Sequence, residues 1–168
     1  MPLDDTGIRK GVPSSADDRA SAPAIPPDRL KRMAKGLRTL HTLELMAVNI
    51  YQYQITREPD ELNRALIAAM ANEMTHLQDF QVKLYEYGLR PNPLRWAYGI
   101  AGWCFGTFSK LGGRRAILKT AIWVETKAVH HYAQLLAAID WDEDTRRVIE
   151  KDQADERAHI ERWKSLLG

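Results

Sequence analysis

The sequence predicts an all-α protein built on an antiparallel four-helix bundle, and three observations lead to this prediction. Apolar residues recur at the three- and four-residue spacing of a helix face along four long segments, whereas no stretch alternates long enough for a strand. Proline, glycine and aspartate mark the breaks between the four segments. Each segment also carries a glutamate within its apolar face, where an ordinary core would have none.

The composition indicates one domain. The chain has 168 residues, of which 45% are hydrophobic, and this is enough for a single core. The formal net charge of +2 gives no indication of nucleic-acid binding, so we expect no nucleic-acid partner. Cys104 is the one cysteine, which excludes a disulfide within the chain and favours a reducing, intracellular setting.

Residues 1–27 differ from the rest of the chain because they are rich in Pro, Ser, Asp and Ala and show no apolar period. They predict a disordered tail before a helical domain of residues 28–168. The segment lacks the apolar run of a secretory signal. Mitochondrial transit peptides are poor in acids, and this segment has four, namely Asp4, Asp5, Asp17 and Asp18. We therefore expect a cytoplasmic protein of bacterial type.

The first two helices are predicted at about residues 29–57 and 60–87. The first begins after Pro26-Pro27, because proline is tolerated only at the start of a helix. Pro59 ends it, and the side chain of Asp60 can cap the second helix. Gly88 then ends the second helix, as glycine commonly does.

The other two helices are predicted at about residues 113–139 and 143–167. The third follows the Gly112-Gly113 pair. Asp140 and Glu143 have the spacing of a capping box, which predicts a capped start of the fourth helix.

The segment from Leu94 to Leu111 is aromatic and has basic flanks. A membrane-spanning helix needs about 20 apolar residues, so this segment is too short to span. It suits a helix lying in a membrane interface, with the basic groups toward anionic headgroups, and the alternative is a connector packed on the bundle. Gly102 and Gly106 have the spacing that allows close helix packing. The aromatic residues are Trp96, Tyr98, Trp103, Phe105 and Phe108, and the basic ones are Arg90, Arg95, Lys110, Arg114, Arg115 and Lys119.

Six side chains on the apolar faces have the chemistry of metal ligands. A buried, unpaired carboxylate costs several kcal/mol, so carboxylates that meet in one interior predict a bound cation. Iron or manganese in the divalent state suits a mixture of oxygen and imidazole ligands, which leaves the choice between these metals open. The six are Glu44 on the first helix, Glu73 and His76 on the second, Glu125 on the third, and Glu156 and His159 on the fourth.

The spacing of the acids supports this interpretation independently. Glu44 and Glu73 lie 29 residues apart, and their midpoint falls on the turn before the second helix. Glu125 and Glu156 lie 31 residues apart, and their midpoint falls on the turn before the fourth helix. In each antiparallel hairpin the two acids are therefore predicted at the same height.

The two halves of the chain repeat one pattern. Each has a glutamate on its first helix and a Glu-x-x-His motif on its second, and a tyrosine follows each first glutamate by seven residues, at Tyr51 and Tyr132. This arrangement matches the di-iron carboxylate centres of ferritin-like bundles. Asp152, one turn before Glu156, has two readings: it can accept a hydrogen bond from a ligand histidine, or it is an ordinary surface acid.

With these residues in place, the chain resembles the demethoxyubiquinone hydroxylases, the di-iron monooxygenases of ubiquinone biosynthesis. The resemblance spans about residues 37–163 and rests on ELMAVNIYQYQ, NEMTHLQDF, VETKAVHHY and DERAHIERW in the four helices. The His131-Tyr132 pair and the aromatic connector are its narrower marks. The Glu and Glu-x-x-His pattern is shared with the wider ferritin-like superfamily.

The resemblance implies specific roles for these residues. Glu44 and Glu125 would be terminal ligands, Glu73 and Glu156 would bridge the two metals, and His76 and His159 would each supply one nitrogen. Tyr132 and His131 would serve proton or electron delivery. The iron pair would use O2 to hydroxylate the ring of a polyprenyl benzoquinone.

The resemblance also implies partners and a location. The sequence shows no nucleotide or flavin motif, so electrons are expected from an external donor such as NADH or a reduced quinone. The segment from Leu94 to Leu111 would face the membrane and the quinone, and the protein would lie peripherally on the inner face of the cell membrane. A homodimer or a lipid-binding partner protein would fit the family.

Three other readings remain open. A ferroxidase or iron-storage protein uses similar ligands but needs no lipid-facing aromatic segment. A rubrerythrin-like peroxidase normally carries a Cys-x-x-Cys module, whereas this chain has only Cys104. A module whose metal is purely structural would fill its coordination positions, whereas six ligands for two metals leave some open.

Overall fold

The computed structural model of the protein describes residues 25–168, so most of the predicted tail lies outside the described residues. Over this range the chain forms five helices and no strand. They are α1 (Pro27–Gln54), α2 (Glu61–Glu86), α3 (Arg95–Leu111), α4 (Gly113–Ala138) and α5 (Glu143–Leu167). Helices α1 and α2 pack as one hairpin, α4 and α5 pack as another, and α3 lies across α1 and α4. The predicted all-α, ferritin-like bundle with an additional segment after its second helix is confirmed.

The first helix differs from its expected range at both ends. Pro27 is already helical, two residues before the expected start, because proline fits the first turn. The helix ends at Gln54 and not near residue 57, since Ile55 has extended backbone angles. The side-chain oxygen of Asn63 accepts a hydrogen bond of 2.9 Å from the backbone N–H of Thr56 and holds the chain in this turn.

Helix α2 has the capping groups that the sequence indicates. The side chain of Asp60 accepts a hydrogen bond of 2.8 Å from the backbone N–H of Asn63. At the other end Gly88 has a φ of +67°, which glycine adopts at little cost. The N–H of Leu89 donates to the carbonyl of Leu84 at 2.8 Å, and together with Gly88 this completes a Schellman motif.

The predicted capping box of the last helix is wrong. Asp142, and not Asp140, caps α5, and it accepts a hydrogen bond of 3.0 Å from the backbone N–H of Thr145. The side chain of Asp140 instead pairs with Arg29 at 3.1 Å. Trp141 is buried, and its indole N–H donates to the carbonyl of residue 135, so the chain before Asp142 follows tertiary packing and not a local cap.

Two glycines fasten α3 to α1, as their spacing indicated. A Cβ atom at Gly102 would lie 2.5 Å from the backbone oxygen of Met46, and one at Gly106 would lie 2.6 Å from that of Ile50. Real Cβ atoms do not approach so closely, so only glycine fits at these two positions. The same face of α3 places Ser109 against α1, and the opposite face is exposed.

The core consists of two apolar layers with a polar layer between them. One layer centres on Leu37, Phe80 and Ile149, and the other centres on Leu66 and Trp163, all of them buried. The ligand candidates lie between these layers on the four long helices. Water is therefore excluded from above and below the site, which strengthens electrostatic interactions within it.

Candidate metal centre

The six predicted ligands come together in this middle layer. Helix α1 supplies Glu44, α2 supplies Glu73 and His76, α4 supplies Glu125, and α5 supplies Glu156 and His159. Five of the six are exposed by 1% or less, and the side chain of His159 is 12% exposed. The four carboxylates and two imidazoles thus share an interior almost without solvent.

Their ligand atoms form two overlapping groups. Within each group, one ligand atom from every side chain lies within 4.8 Å of the others. Both groups contain Glu73 and Glu156, whereas each has its own terminal glutamate and its own histidine. Two adjoining groups that share two carboxylates are the arrangement that the family resemblance implies. The groups are Glu44, Glu73, His76 and Glu156, and Glu73, Glu125, Glu156 and His159.

The distances suit ligands of first-row metals. Nδ1 of His76 lies 3.1 Å from Oε1 of Glu156 and 3.6 Å from Oε2 of Glu73. Nδ1 of His159 lies 3.0 Å from Oε1 of Glu73 and 3.7 Å from Oε1 of Glu125. Metal bonds to nitrogen and oxygen of about 2.1 Å place neighbouring ligand atoms about 3 Å apart. The cluster therefore needs little movement to enclose two ions.

Several buried atoms of the cluster lack hydrogen-bond partners. Both carboxylate oxygens of Glu73, Oε2 of Glu156 and Nδ1 of His159 are buried without an acceptable hydrogen bond. Unsatisfied buried polar atoms are costly and rare in native proteins. These atoms face one another across the layer, so the donor set fits a pair of cations that would satisfy them.

Protons occupy the cluster when no cation does. Burial raises the pKa of Glu44 well above its ordinary value, and the nearby carboxylate of Glu156 raises it further. Burial and Glu156 also raise the pKa of Glu125 to about 8. Burial by itself would lower the pKa of His76 and His159, but the carboxylates around each imidazole outweigh it and raise the pKa of each to about 12. The site thus gathers positive charge, as a metal site must.

Two tyrosines cross the bundle to reach the terminal glutamates. Tyr132 on α4 donates a hydrogen bond of 2.5 Å to Glu44 on α1, and Tyr51 on α1 donates one to Glu125 on α4. Burial raises the pKa of both tyrosines well above the ordinary value, so both remain donors. The indole N–H of Trp163 donates to the hydroxyl of Tyr51 at 3.1 Å. Of the two tyrosines only Tyr132 was predicted to have a role, although Tyr51 stands at the same place in the seven-residue repeat.

The outer nitrogen of His76 faces two aspartates. Nε2 lies 3.2 Å from Asp155 and 3.8 Å from Asp152, and Lys151 lies 2.7 Å from Asp152. A carboxylate at Nε2 holds the proton on that nitrogen and leaves Nδ1 free to bind a metal. Asp152 is buried and part of this group, so it is not the ordinary surface acid of the second interpretation. Asp155 lies closer and was not predicted, because its contact with His76 depends on how α5 is rotated against α2.

His131 lies apart from Tyr132, although the two are adjacent in the sequence. Successive helix residues point about 100° apart, so Tyr132 faces the cluster whereas His131 is half-buried at the side of α4. The Nδ1 of His131 donates to the carbonyl of Lys127 at 2.8 Å. It lines a cavity that reaches the two terminal glutamates, and this position does not bring it into contact with the ligand atoms.

This cavity has a volume of about 380 Å³ and opens between α1 and α4. Its lining is mostly apolar, and its polar floor consists of the two terminal glutamates. Trp123 at its edge stacks on Phe105 of α3, with ring centroids 5.7 Å apart. Trp123 therefore borders both this cavity and α3. The cavity is lined by Leu43, Glu44, Met46, Ala47, Trp123, Val124, Glu125, Lys127, Ala128 and His131.

The outward face of α3 is apolar. Phe108 is 70% exposed and Leu111 is 79% exposed, and six further large apolar side chains on or beside this helix are exposed as well. The six are Leu94, Trp96, Tyr98, Ile100, Trp103 and Phe105. Among residues 25–168, no helix has both the length and the apolar character needed to cross a membrane.

Comparison with known proteins finds one matching family model and several relatives whose names describe the same hydroxylase activity. Residues 31–163 match the family model described as ubiquinone biosynthesis protein COQ7. The NADPH-dependent 3-demethoxyubiquinone 3-hydroxylase, mitochondrial, of Dictyostelium discoideum is 31% identical, and the alignment covers 81% of this chain and 66% of that protein. The 3-demethoxyubiquinol 3-hydroxylase of Bordetella petrii is 33% identical, with 92% of this chain and 73% of that protein covered. A protein of the same name from Pseudomonas aeruginosa is 27% identical, with 92% and 76% covered.

The family match extends from α1 to the last turns of α5 and thus includes every ligand candidate. The relatives agree with the resemblance seen in the helix motifs. The chain spans about two thirds of the Dictyostelium protein and about three quarters of the bacterial ones. The chain belongs to the ubiquinone biosynthesis protein COQ7 family, whose relatives named above are hydroxylases.

Proposed function

We propose that this protein is a di-iron monooxygenase that uses O2 to hydroxylate the ring of a demethoxyubiquinone-type polyprenyl quinol. One observation carries the proposal: two overlapping sets of buried ligand atoms lie beside a mostly apolar cavity, whose lining includes one glutamate of each set, Glu44 and Glu125. The names of the relatives supply the substrate class. When bound, the two iron ions would supply the reductive activation of O2 that this hydroxylation requires.

The four helices would hold the metals in a defined way. Glu73 and Glu156 belong to both ligand groups and would bridge, whereas Glu44 and Glu125 belong to one group each and would be terminal. The two histidines would add one nitrogen to each position. Each position has few protein ligands for a six-coordinate ion, so coordination sites remain for exogenous molecules.

The tyrosines would orient the terminal carboxylates. The hydroxyl of Tyr132 donates a hydrogen bond to one oxygen of Glu44, and the hydroxyl of Tyr51 donates one to one oxygen of Glu125. Each carboxylate then has its other oxygen available for a metal, and its rotamer is fixed by a hydrogen bond from the opposite helix. Because both hydroxyls remain protonated, they also hold a proton next to the site where oxygen reduction consumes protons.

The cavity would receive the quinol ring. A volume of about 380 Å³ accommodates a substituted ring, and the apolar lining excludes water from it. The ring would meet the metals from the side of Glu44 and Glu125, which form the cavity floor. The half-buried His131 at its edge would contact the ring's oxygen substituents and not the metals.

Helix α3 would bring the enzyme to a membrane surface, where a polyprenyl substrate resides. Its exposed aromatic face suits the interface, and Arg95 and Lys110 near its ends suit anionic headgroups. The stacking of Phe105 on Trp123 joins this face to the cavity edge. Electrons would come from an external donor, and the relative named as NADPH-dependent supports a nicotinamide donor.

The test combines metal content with product formation. The purified protein is loaded with iron, reduced, and given O2 and a short-tailed demethoxyquinol in detergent. Two irons per chain and a product heavier by one oxygen are expected, with product lost in Glu125→Gln. The exposed Glu150 on α5 offers a matched control, and Glu150→Gln should keep both iron and product.

Other results would change the assignment. Two irons with rapid iron oxidation but no hydroxylated product would favour a ferroxidase, the alternative that uses the same ligands. A protein that binds no stoichiometric metal would contradict the di-iron proposal as a whole.

A further inference from the structure

A second cavity lies along the first half of α1, where this helix meets the connector after α2 and the start of α3. Its volume is about 840 Å³, which is larger than that of the cavity beside the metal ligands. We call it the α1 groove. Its lining combines a row of cations on α1 with an apolar wall. The wall includes Leu30, Ala34, Leu89, Pro93 and Tyr98.

The cations of the α1 groove lie along one face of the helix. Lys31, Lys35 and Arg38 are spaced by four and three residues, so they follow one another at intervals of one turn. Arg32 lines the groove beside them. The Nε of Arg38 donates a hydrogen bond of 2.8 Å to the carbonyl of Arg90. This bond fixes the guanidinium group on the connector and leaves its two terminal nitrogens for a ligand.

No carboxylate neutralises these cations. Among residues 25–168 none of the four forms an ion pair, whereas Arg29 on the same helix pairs with Asp140 at 3.1 Å. The chain has 22 acidic residues, and none of them lies in residues 29–43 or 87–124, which supply nearly all of the lining. Cations held together without counterions repel one another, so the α1 groove suits an anion.

The apolar wall indicates an anion that carries an apolar body. A small hydrated ion gains nothing from leucine or tyrosine side chains, whereas an amphiphile buries its apolar part against them while its headgroup meets the cations. The guanidinium of Arg38 matches the oxygens of a phosphate group. The side-chain oxygen of Asn92, also in the lining, accepts a hydrogen bond of 2.9 Å from the N–H of Leu94, so its amide nitrogen remains to donate.

The α1 groove adjoins the exposed aromatic face of α3. Tyr98 belongs to both, since it lines the groove and is 36% exposed on α3. Pro93 lines the groove and also a smaller cavity that contains Arg90, Arg95 and Trp96. A lipid beside α3 can therefore reach the groove from the membrane surface. This step rests on the proposed contact of α3 with a membrane, whereas the cations and the wall do not depend on it.

We propose that the α1 groove binds one anionic phospholipid per chain, with the headgroup phosphate at Lys31, Lys35 and Arg38. The adjoining apolar part of the lipid lies against Leu30 and Tyr98. This site is separate from the quinol cavity, because the two share no lining residue. A lipid held by α1, together with the membrane contact of α3, fixes the orientation of the bundle on the membrane surface.

The first test counts bound lipids on the full, metal-free chain by native mass spectrometry in a nonionic detergent, with equal amounts of phosphatidylglycerol and phosphatidylcholine. One phosphatidylglycerol per chain is expected in preference to phosphatidylcholine, whose choline is positively charged. Lys31→Gln with Lys35→Gln should weaken this binding about 25-fold, since each cation near an anionic headgroup contributes about fivefold. Arg115→Gln with Lys119→Gln is the matched control, because these exposed cations also lie in an acid-free segment but outside the groove.

The second test distinguishes a lipid from a soluble phosphate. Glycerol phosphate carries the same phosphate without acyl chains, and at millimolar concentration it should not displace phosphatidylglycerol. Tyr98→Asn removes part of the apolar wall and should weaken lipid binding about tenfold. Trp103→Asn changes an exposed aromatic residue of the same helix outside the groove and should leave the lipid count unchanged.

The outcomes separate this proposal from the di-iron proposal, because the lipid is counted on metal-free protein. Circular dichroism of each variant checks that the helices are kept. Loss of the lipid in the Lys31 and Lys35 variant, with the lipid kept in the Arg115 and Lys119 variant, would support the α1 groove as the site. Equal losses in both variants would assign the effect to overall charge and overturn the proposal. Absence of a stoichiometric lipid, or its displacement by glycerol phosphate, would overturn it as well.

Discussion

Filling the centre with two divalent ions is expected to release about four protons at pH 7. In the metal-free protein the pKa of Glu125, raised by burial to about 8, keeps a proton on that carboxyl group at this pH, and burial raises the pKa of Glu44 in the same direction. The pKa of about 12 on His76 and on His159 keeps each imidazole cationic. Metal ligands must be unprotonated, so each of these four groups loses one proton on binding.

Charge balance leads to the same count. Two divalent ions bring four positive charges into a layer with four carboxylates. An interior that is nearly closed to solvent tolerates little uncompensated charge, so the metals should replace about four protons. The overall constant for loading both sites should therefore rise by up to about four powers of ten per pH unit near neutrality, or roughly 100-fold per ion.

The assay uses Mn²⁺, which avoids the oxidation of Fe²⁺ during the titration. Calorimetric titrations in two buffers with different ionisation enthalpies give the number of protons released per chain. Glu44→Gln removes one carboxyl proton and should lower the count by about one. Glu150→Gln on the exposed face of α5 is the matched control and should not change it. Release of fewer than two protons from the wild type would refute the proton-filled site.

The same shifts predict how the stability of the metal-free protein depends on pH. Because the pKa of Glu125 is about 8 in the folded state and 4.5 ordinarily, the folded state binds more protons between these values. The contribution of Glu125 to the free energy of unfolding is then fully present below about pH 4.5 and is lost as the pH rises through 8. The difference amounts to at most roughly 5 kcal/mol. Urea unfolding at pH 6 and pH 8.5 should show about half of this loss, roughly 2.5 kcal/mol, without metal and a smaller loss with Mn²⁺, and an opposite slope would contradict the assignment.

Three further predictions concern single contacts. Asp155→Asn removes the closer carboxylate at Nε2 of His76 and should weaken Mn²⁺ binding about 10- to 100-fold, measured by calorimetry; unchanged affinity would remove its orienting role. Tyr51→Phe leaves a buried indole N–H and a carboxylate without a partner, and should lower the free energy of unfolding by about 1–3 kcal/mol. Gly106→Ala should cost about 1–3 kcal/mol in urea unfolding, since its Cβ meets a backbone oxygen at 2.6 Å. Gly99→Ala is the matched control, because its nearest contact would be 3.9 Å away, and equal losses in both variants would refute the packing argument.

Most of the helix architecture could be predicted because it depends on local patterns. The period of the apolar residues and the caps at Asp60 and Gly88 are properties of neighbouring residues, and the structure shows both. The end of the first helix at Gln54 and the capping of the last helix by Asp142 were not predicted, since a side chain from the next helix and a buried tryptophan decide them. Such contacts have no signature within a few residues of the boundary.

The ligand set could also be predicted, whereas its surroundings could not. Acids at matched distances from two turns must lie at one height in two hairpins, and the six candidates do meet. Which aspartate faces Nε2 of His76 depends on the rotation of α5 against α2 by a fraction of a turn, and Asp155 was missed for this reason. The separation of His131 from Tyr132 follows from helix geometry, but the side of α4 that carries the cavity depends on α1 and α3.

The sequence by itself thus determined the helices, the family and the residues able to bind metals, because periodicity, turn chemistry and residue type are encoded locally. Only the tertiary structure decided what those residues contact. It brought Tyr51 to Glu125 and Tyr132 to Glu44, each on the opposite helix, and it placed Glu44 and Glu125 in the lining of one cavity. The physical reason is that hydrogen-bond partners and cavities arise between helices, where side chains far apart in sequence meet at distances that no local pattern records.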